Sequence, residues 1–411
     1  MPSPALTYNL LSEACKAGGP SVLVSTTELA PAGGPMASVA PAKFVTPGAN
    51  SHATYAYEHR FVDGAAAGVV ILDSKQSQLN RAEAALAQAI LDGVDPLTRV
   101  PHVAVTYRRD GQPETFTDLT LPHRAYDGHV RAGSVAGKPS TDHPAYRAAR
   151  DATPANARAL LDFSPITLAY GGWDATRRSR QGRWRSALVG EIVGVLADQD
   201  LDPRSTPLRG GARVDPVAMQ VQLGRASMIA IADAQRGELS PRLYDKIVKA
   251  AKSADEKSAG STSASTLGLG GIPPTLEQLA GVACTRILRT HVLSFATLRQ
   301  IRFGAGPDGD ASCRALVAAL ALDGLVRADS ELCLRANCDL VEAGPTRVTI
   351  DRRAGAFQEL EPLSIVAADE LLARAIAAAR EDAGVDWTGQ IFAVDGDPDI
   401  IASTDDASEE G

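Results

Sequence analysis

Apolar and polar positions along this chain follow two periods, and the change from one to the other marks its elements. Val69 to Leu72 are four consecutive apolar residues, three of them β-branched, the pattern of a strand covered on both faces. The period then becomes helical, with Leu79, Ala82, Leu86 and Ile90 on one face. Asp73 is placed to cap this helix, with Gln76 as its capping-box partner. Ser74, Ser77, Gln78 and Arg81 take the opposite face. That face carries donors and a permanent cation but no catalytic carboxylate or nucleophile–base pair. It suits holding an anionic polymer better than bond chemistry. Strands are further expected at Ser21 to Leu29, Tyr55 to Val62, Ile166 to Tyr170 and Glu331 to Val341. Helices are expected at Trp184 to Ala197, Thr275 to Leu288, Ser312 to Leu325 and Pro362 to Ala383. Met219 to Ala232 fits helix or buried strand, and Val292 to Phe303 an extended or helical segment. Strands and helices mixed without regular alternation predict an α+β fold. Residues 92–155, rich in Pro, Gly, His and Asp, predict an inserted, exposed subdomain, and the Ser/Gly/Ala-rich stretch 253–271 a mobile loop.

Charge changes this picture more than composition does. The 411 residues carry a net charge of −8, which argues against a nucleic-acid partner until its distribution is considered. Residues 381–411 hold ten acids and no Lys or Arg, an acidic tail of which 386–411 is expected to be dispensable for folding unless Trp387, Ile391 and Phe392 dock a short strand; the first 380 residues hold 41 basic and 39 acidic side chains, a net of +2. Basic charge concentrates in two places. Arg177, Arg178, Arg180, Arg183 and Arg185 face one acid, Asp174, within 171–190, and Arg286, Arg289, Arg299 and Arg302 face none within 284–302. Such clusters decide where a phosphate backbone can lie. The first cluster precedes the helix expected from Trp184, where cations oppose the helix dipole by roughly 0.3–1 kcal/mol each. They make sense there if an anion shares the site. The bland alternative for both clusters is a solvated face, and for Trp184 a core position in preference to base stacking.

A resemblance sharpens the expectation. Asp73-Ser74-Lys75-Gln76-Ser77-Gln78-Leu79-Asn80-Arg81-Ala82-Glu83 closely resembles the DSxQSQANRxE signature of a CRISPR-associated RAMP family, the Cas-seven-type backbone subunit of the type I-U (also I-G) Cascade complex. Pro41 to Phe44, Arg183 to Ile192, Arg213 to Pro216 and Val292 to Phe303 supply supporting matches in order, and Leu79 departs from the expected Ala on the buried face. The resemblance covers roughly residues 20–350. It implies a ferredoxin-like, RRM-like core with large insertions. It also implies a non-enzymatic subunit that binds CRISPR RNA, with further copies of itself and other Cascade subunits, and presents the guide to target DNA. The residues expected to touch RNA are Lys75, Gln78 and Arg81, then Arg177, Arg178, Arg180, Arg183 and Arg185, with Arg299 and Arg302 from the second cluster. Two alternatives stand beside it: a RAMP ribonuclease cutting RNA through an acidic loop residue, and an unrelated metabolic α/β protein.

Signals for other chemistry fail. Gly133 to Pro139 is one residue short of a phosphate-binding loop and has Pro139 where Ser or Thr should meet magnesium. Gly268 to Pro273 ends in prolines instead of opening a helix. Asp395, Asp397 and Asp399 start like a calcium loop, but Ile400 stands where its turn needs Gly. His123, His129 and His143 lack ligand spacing, and Cys333 and Cys338 lack a second pair, so neither a metal nor another cofactor is expected. Five cysteines with irregular spacing fit reduced thiols of a cytoplasmic protein. No apolar run approaches the roughly 20 residues that span a bilayer, and no secretory signal is expected.

Overall fold

The computed structural model describes residues 3–48, 52–109, 111–179, 181–200, 208–252 and 260–401. The α+β class holds. Four antiparallel strands form the centre of an eight-stranded sheet: β1 (Val22–Pro31), β2 (Leu188–Leu196), β3 (Cys284–Ser294) and β4 (Arg347–Asp351), in the order β4-β1-β3-β2. Helix α1 (Lys75–Leu91) lies on the crossover from β1 to β2, and helix α2 (Gly306–Ser330) on that from β3 to β4. This is the order and connectivity of a ferredoxin-like core. The hairpin Tyr57–Val62/Ala65–Asp73 extends the sheet beyond β2, and Phe357–Leu360 extends it beyond β4.

Burial along β3 alternates strictly, with Ile287, Arg289, His291 and Leu293 turned to the covered face. That face meets α1 and α2, since His291 bonds to Gln78 of α1 and Arg289 to the Asp329 carbonyl of α2. Helix α2 is buried from Gly309 to Leu325, as an Ala- and Leu-rich helix without a polar face must be. It packs between α1 and the helix Ile365–Ala383, whose Leu371 and Ile376 point inward as the periodicity predicts.

Several expected elements are corrected. The helix expected at Trp184 to Ala197 is strand β2. Leu188, Ile192 and Leu196 are spaced for a helix, but Gly190 and Gly194 each disfavour one by about 1 kcal/mol, and Ile and Val favour a strand. The sheet also demands Gly190, because a Cβ there would lie 1.9 Å from Cδ2 of His291. The helix expected at Thr275 to Leu288 is replaced by the strand Ile272–Gln278 and the start of β3. Ile166 to Tyr170, expected extended, lies in the helix Pro165–Tyr170, which stops at Gly171 with φ +89°. The strand expected over Glu331 to Val341 shrinks to Leu340–Glu342.

The chain divides into two compact units, residues 1–203 with 282–397, and residues 204–281 with 398–411. The second unit is inserted between β2 and β3. Its described part joins the helices Arg225–Ala234 and Pro241–Lys252 around Met228, Ala232, Ile247 and Ala251, with an antiparallel pair of strands, Leu208–Arg213 and Ile272–Gln278. Of the expected loop 253–271, residues 253–259 lie outside the described residues, and 262–267 form a short strand and a 3-10 turn. The insertion 92–155, expected as an exposed subdomain, belongs to the first unit, and its buried Tyr146 packs on Phe163 and Phe392 outside it. His102–Arg109 and Gln112–Thr117 pair, and Val103, Val105 and Tyr107 are buried. The expected acidic tail is corrected in part: Ile391–Asp395 is a parallel partner of His102–Arg109 in the centre of a five-stranded sheet, with Val394 buried.

Candidate nucleic-acid interface

Residues 73–83 build a buried polar network. The helix cap is Ser74, not Asp73: its hydroxyl accepts the Ser77 amide. Asp73, with no exposed surface, is the last residue of its strand. It accepts from Gln78 Nε2 at 2.6 Å, from Arg81 Nε at 3.1 Å and from Arg335. Arg81 also donates to the carbonyls of Cys333 and Leu334, the latter at 2.9 Å. Because the Gln78 amide nitrogen is committed to Asp73, its oxygen faces His291 Nε2 at 3.0 Å, which assigns the Nε2–H tautomer. Burial, reinforced by the Arg289 cation, lowers the His291 imidazole to about 3, so it is neutral. Asp329, 3.9 Å from His291 Nδ1 and 3.4 Å from Arg289 Nε, is pushed up to about 6 by burial against the pull of that arginine. Gln78 and Arg81, expected on an RNA-facing surface, are therefore spent on joining α1 to the sheet. Lys75 is exposed, with Nζ 3.9 Å from Glu191 Oε2.

The two arginine clusters separate in the same way. Arg177 pairs with Asp151 and donates to the Arg150 carbonyl at 2.8 Å. Arg299 donates to the carbonyls of Ala14 and Pro20 at 2.7 and 2.8 Å. Arg289 is buried against Asp329 and Glu342, whereas Arg286, three residues away, points to the other face toward Glu28 and Asp63. Arg180 lies outside the described residues. Among the described residues no side chain forms an ion pair or hydrogen bond with the exposed guanidinium groups of Arg178, Arg183, Arg185 or Arg302.

Two of these four, Arg183 and Arg185, come together at one end of the sheet. Arg183 and Arg185 lead into β2, and Ser294 ends β3; the Ser294 amide donates to the Ala187 carbonyl at 2.7 Å. A cleft of about 520 Å³ opens there, lined by Arg183, Arg185, Ser294, Thr297, Gln300 and Ile301, with Pro154 and Ala296 as apolar wall. Arg302 follows Ile301, and its amide donates to the Pro154 carbonyl at 2.8 Å. Arg183 stacks on the half-exposed indole of Trp173, 4.7 Å from the ring centroid. The connecting loop is held by Arg150 on the buried Asp174 at 2.7 Å and by Arg131 on Thr176 at 2.6 Å. Trp184 is buried, its indole N–H donating to the Tyr126 hydroxyl at 2.7 Å, so it is core. The helix dipole invoked for Arg183 and Arg185 plays no part, since they border a strand.

Other surfaces serve an anionic polymer less well. The uncovered face of the sheet aligns Val24, Val292 and Val189, then Thr26, Thr290 and Glu191, and these rows hold no aromatic side chain for bases to stack on. The larger cavity, about 600 Å³, is mainly apolar and edged by Asp329, Glu342 and Glu361, with Arg289 its only cation. The cleft residues Thr297 and Gln300 and the Trp173 platform were not anticipated. Thr297 and Gln300 fall inside the basic segment 284–302, which is the one signal that points to them.

Residues 23–199 match the family model described as CRISPR-associated protein GSU0053. The match covers less than half of the chain and makes that part similar to CRISPR-associated proteins. It includes the 73–83 signature, Arg183 and Arg185. No curated protein matches the chain. Among the described residues no helix is long and apolar enough to cross a membrane, and no group of His, Cys, Asp and Glu could hold a metal ion.

Proposed function

We propose that this protein is CRISPR-associated, a non-catalytic RNA-binding subunit of a type I Cascade-like surveillance complex. Copies line up along one CRISPR RNA, hold its backbone, and leave the base edges free to pair with target DNA. The observation that carries this reading is the pair Arg183 and Arg185, both without acidic partners among the described residues, in one cleft at the end of the sheet. Uncompensated cations on a fixed frame are what a phosphate backbone needs, and elsewhere in the first unit many arginines are paired. The signature at 73–83 supports the reading through the family it resembles. Lys75 and Arg178 extend the basic surface; Gln78, Arg81, Arg177 and Arg299 act as structural residues.

The test is binding of a single-stranded RNA across a salt series. Each phosphate contact on single-stranded nucleic acid contributes about −0.7 to the log–log salt slope. R183A/R185A should therefore flatten the slope by about 1.4 and weaken binding, while the melting temperature stays unchanged. An unchanged affinity and slope would remove the cleft from the RNA path. Magnesium-dependent cleavage of the RNA by the pure protein would replace the proposal with the ribonuclease alternative.

A further inference from the structure

We infer that the cleft reads the sugar of its ligand as well as the phosphate, and so separates RNA from DNA. The inference rests on the RNA-binding reading above and assigns roles to two residues outside the charge argument. Thr297 and Gln300 line the same cleft as Arg183 and Arg185. The Thr297 amide is fixed by the Ser294 hydroxyl at 3.1 Å, and its carbonyl accepts the Gln300 amide at 3.1 Å, so one turn of backbone sets both side chains. Among the described residues neither the Thr297 hydroxyl nor the Gln300 carboxamide has a partner. Both groups donate and accept, as the ribose 2′-hydroxyl does. Phosphate held by Arg183 and Arg185 brings the adjoining sugar against Thr297, Gln300 and the apolar wall of Pro154, Ala296 and Ile301. A deoxyribose at that place leaves these polar groups unanswered, and a site built to bond a hydroxyl discriminates against the analogue that lacks it.

The experiment measures affinity of the full chain for a fluorescent single-stranded RNA and for DNA of the same sequence. The wild type should bind RNA more tightly. T297V/Q300A should lower RNA affinity by roughly tenfold, the loss of two hydrogen bonds, and leave DNA affinity unchanged. T297S, which keeps the hydroxyl, should retain the RNA preference. Q300A alone, at an exposed position, gives the same comparison should the double variant fail to fold. R183A/R185A should weaken RNA and DNA alike. Equal wild-type affinity for RNA and DNA, or a parallel loss of both in T297V/Q300A, overturns the sugar reading and leaves RNA binding standing. Binding of neither polymer overturns the proposed function itself.

Discussion

Replacing Asp73 by Asn tests whether the 73–83 signature is a structural device. Two magnitudes compete. A helix cap is worth about 1 kcal/mol, and that amount belongs to Ser74, whose hydroxyl takes the Ser77 amide. Asp73 instead meets three donors, Gln78 and the guanidinium groups of Arg81 and Arg335, with none of its own surface in water. Removing one partner of a buried ionic network costs about 3–5 kcal/mol, because the remaining charges lose their compensation. Arg81 and Arg335 each keep 25% of their side-chain surface exposed, so water recovers part of the loss and the lower end, about 3 kcal/mol, applies. Asn preserves the shape and removes the charge, so no cavity enters the comparison. Urea unfolding followed by circular dichroism should show a lower midpoint at unchanged slope for D73N, by about 1 M for a slope near 3 kcal/mol/M. S74A should lose roughly a third as much. A loss in D73N no larger than in S74A would refute the network argument.

Three further outcomes follow from the same core. The unfolded imidazole titrates near 6.5 and folded His291 near 3, so between those values the unfolded chain binds more protons; this stability is complete above pH 6.5 and is lost on acidification by about 1.4 kcal/mol per pH unit. Asp329, raised to about 6, acts in the opposite sense, so the comparison is made against H291Q at each pH: the wild type should fall more steeply, and parallel pH profiles would contradict the assignment. G190A should cost about 1–3 kcal/mol through overlap with the His291 ring, with G190A/H291A losing less than the sum of the single variants in chemical unfolding; additivity would show that the ring moves aside. V394A should cost about 1–3 kcal/mol, since Val394 is buried in the central strand of the five-stranded sheet; no loss on melting would return residues 391–395 to a dispensable tail.

The sequence by itself determined the elements whose period is unambiguous. The four apolar residues before Asp73, three of them β-branched in a short run, read as a covered strand, and Leu79, Ala82 and Leu86 as one face of a helix, because their spacing matches that geometry and not a strand's. The signature at 73–83 was legible as a family mark, but its physical role was not. Nothing in the spacing shows that Gln78 will meet His291, 213 residues away, or that Arg81 and Arg335 will share one carboxylate. Strand β2 was misjudged because Leu188, Ile192 and Leu196 satisfy both periods, and the deciding contact, a His291 ring in the space of a Gly190 side chain, is made by a neighbouring strand. The acidic end concealed a central strand because charge was averaged over residues whose apolar members pair with a segment almost three hundred positions earlier. Charge in the sequence located both arginine clusters. Only tertiary structure divided Arg183 and Arg185, left without acidic partners in a cleft, from Arg177, Arg289 and Arg299, consumed inside the fold, because whether a cation is available depends on which acids and carbonyls the folded chain brings to it.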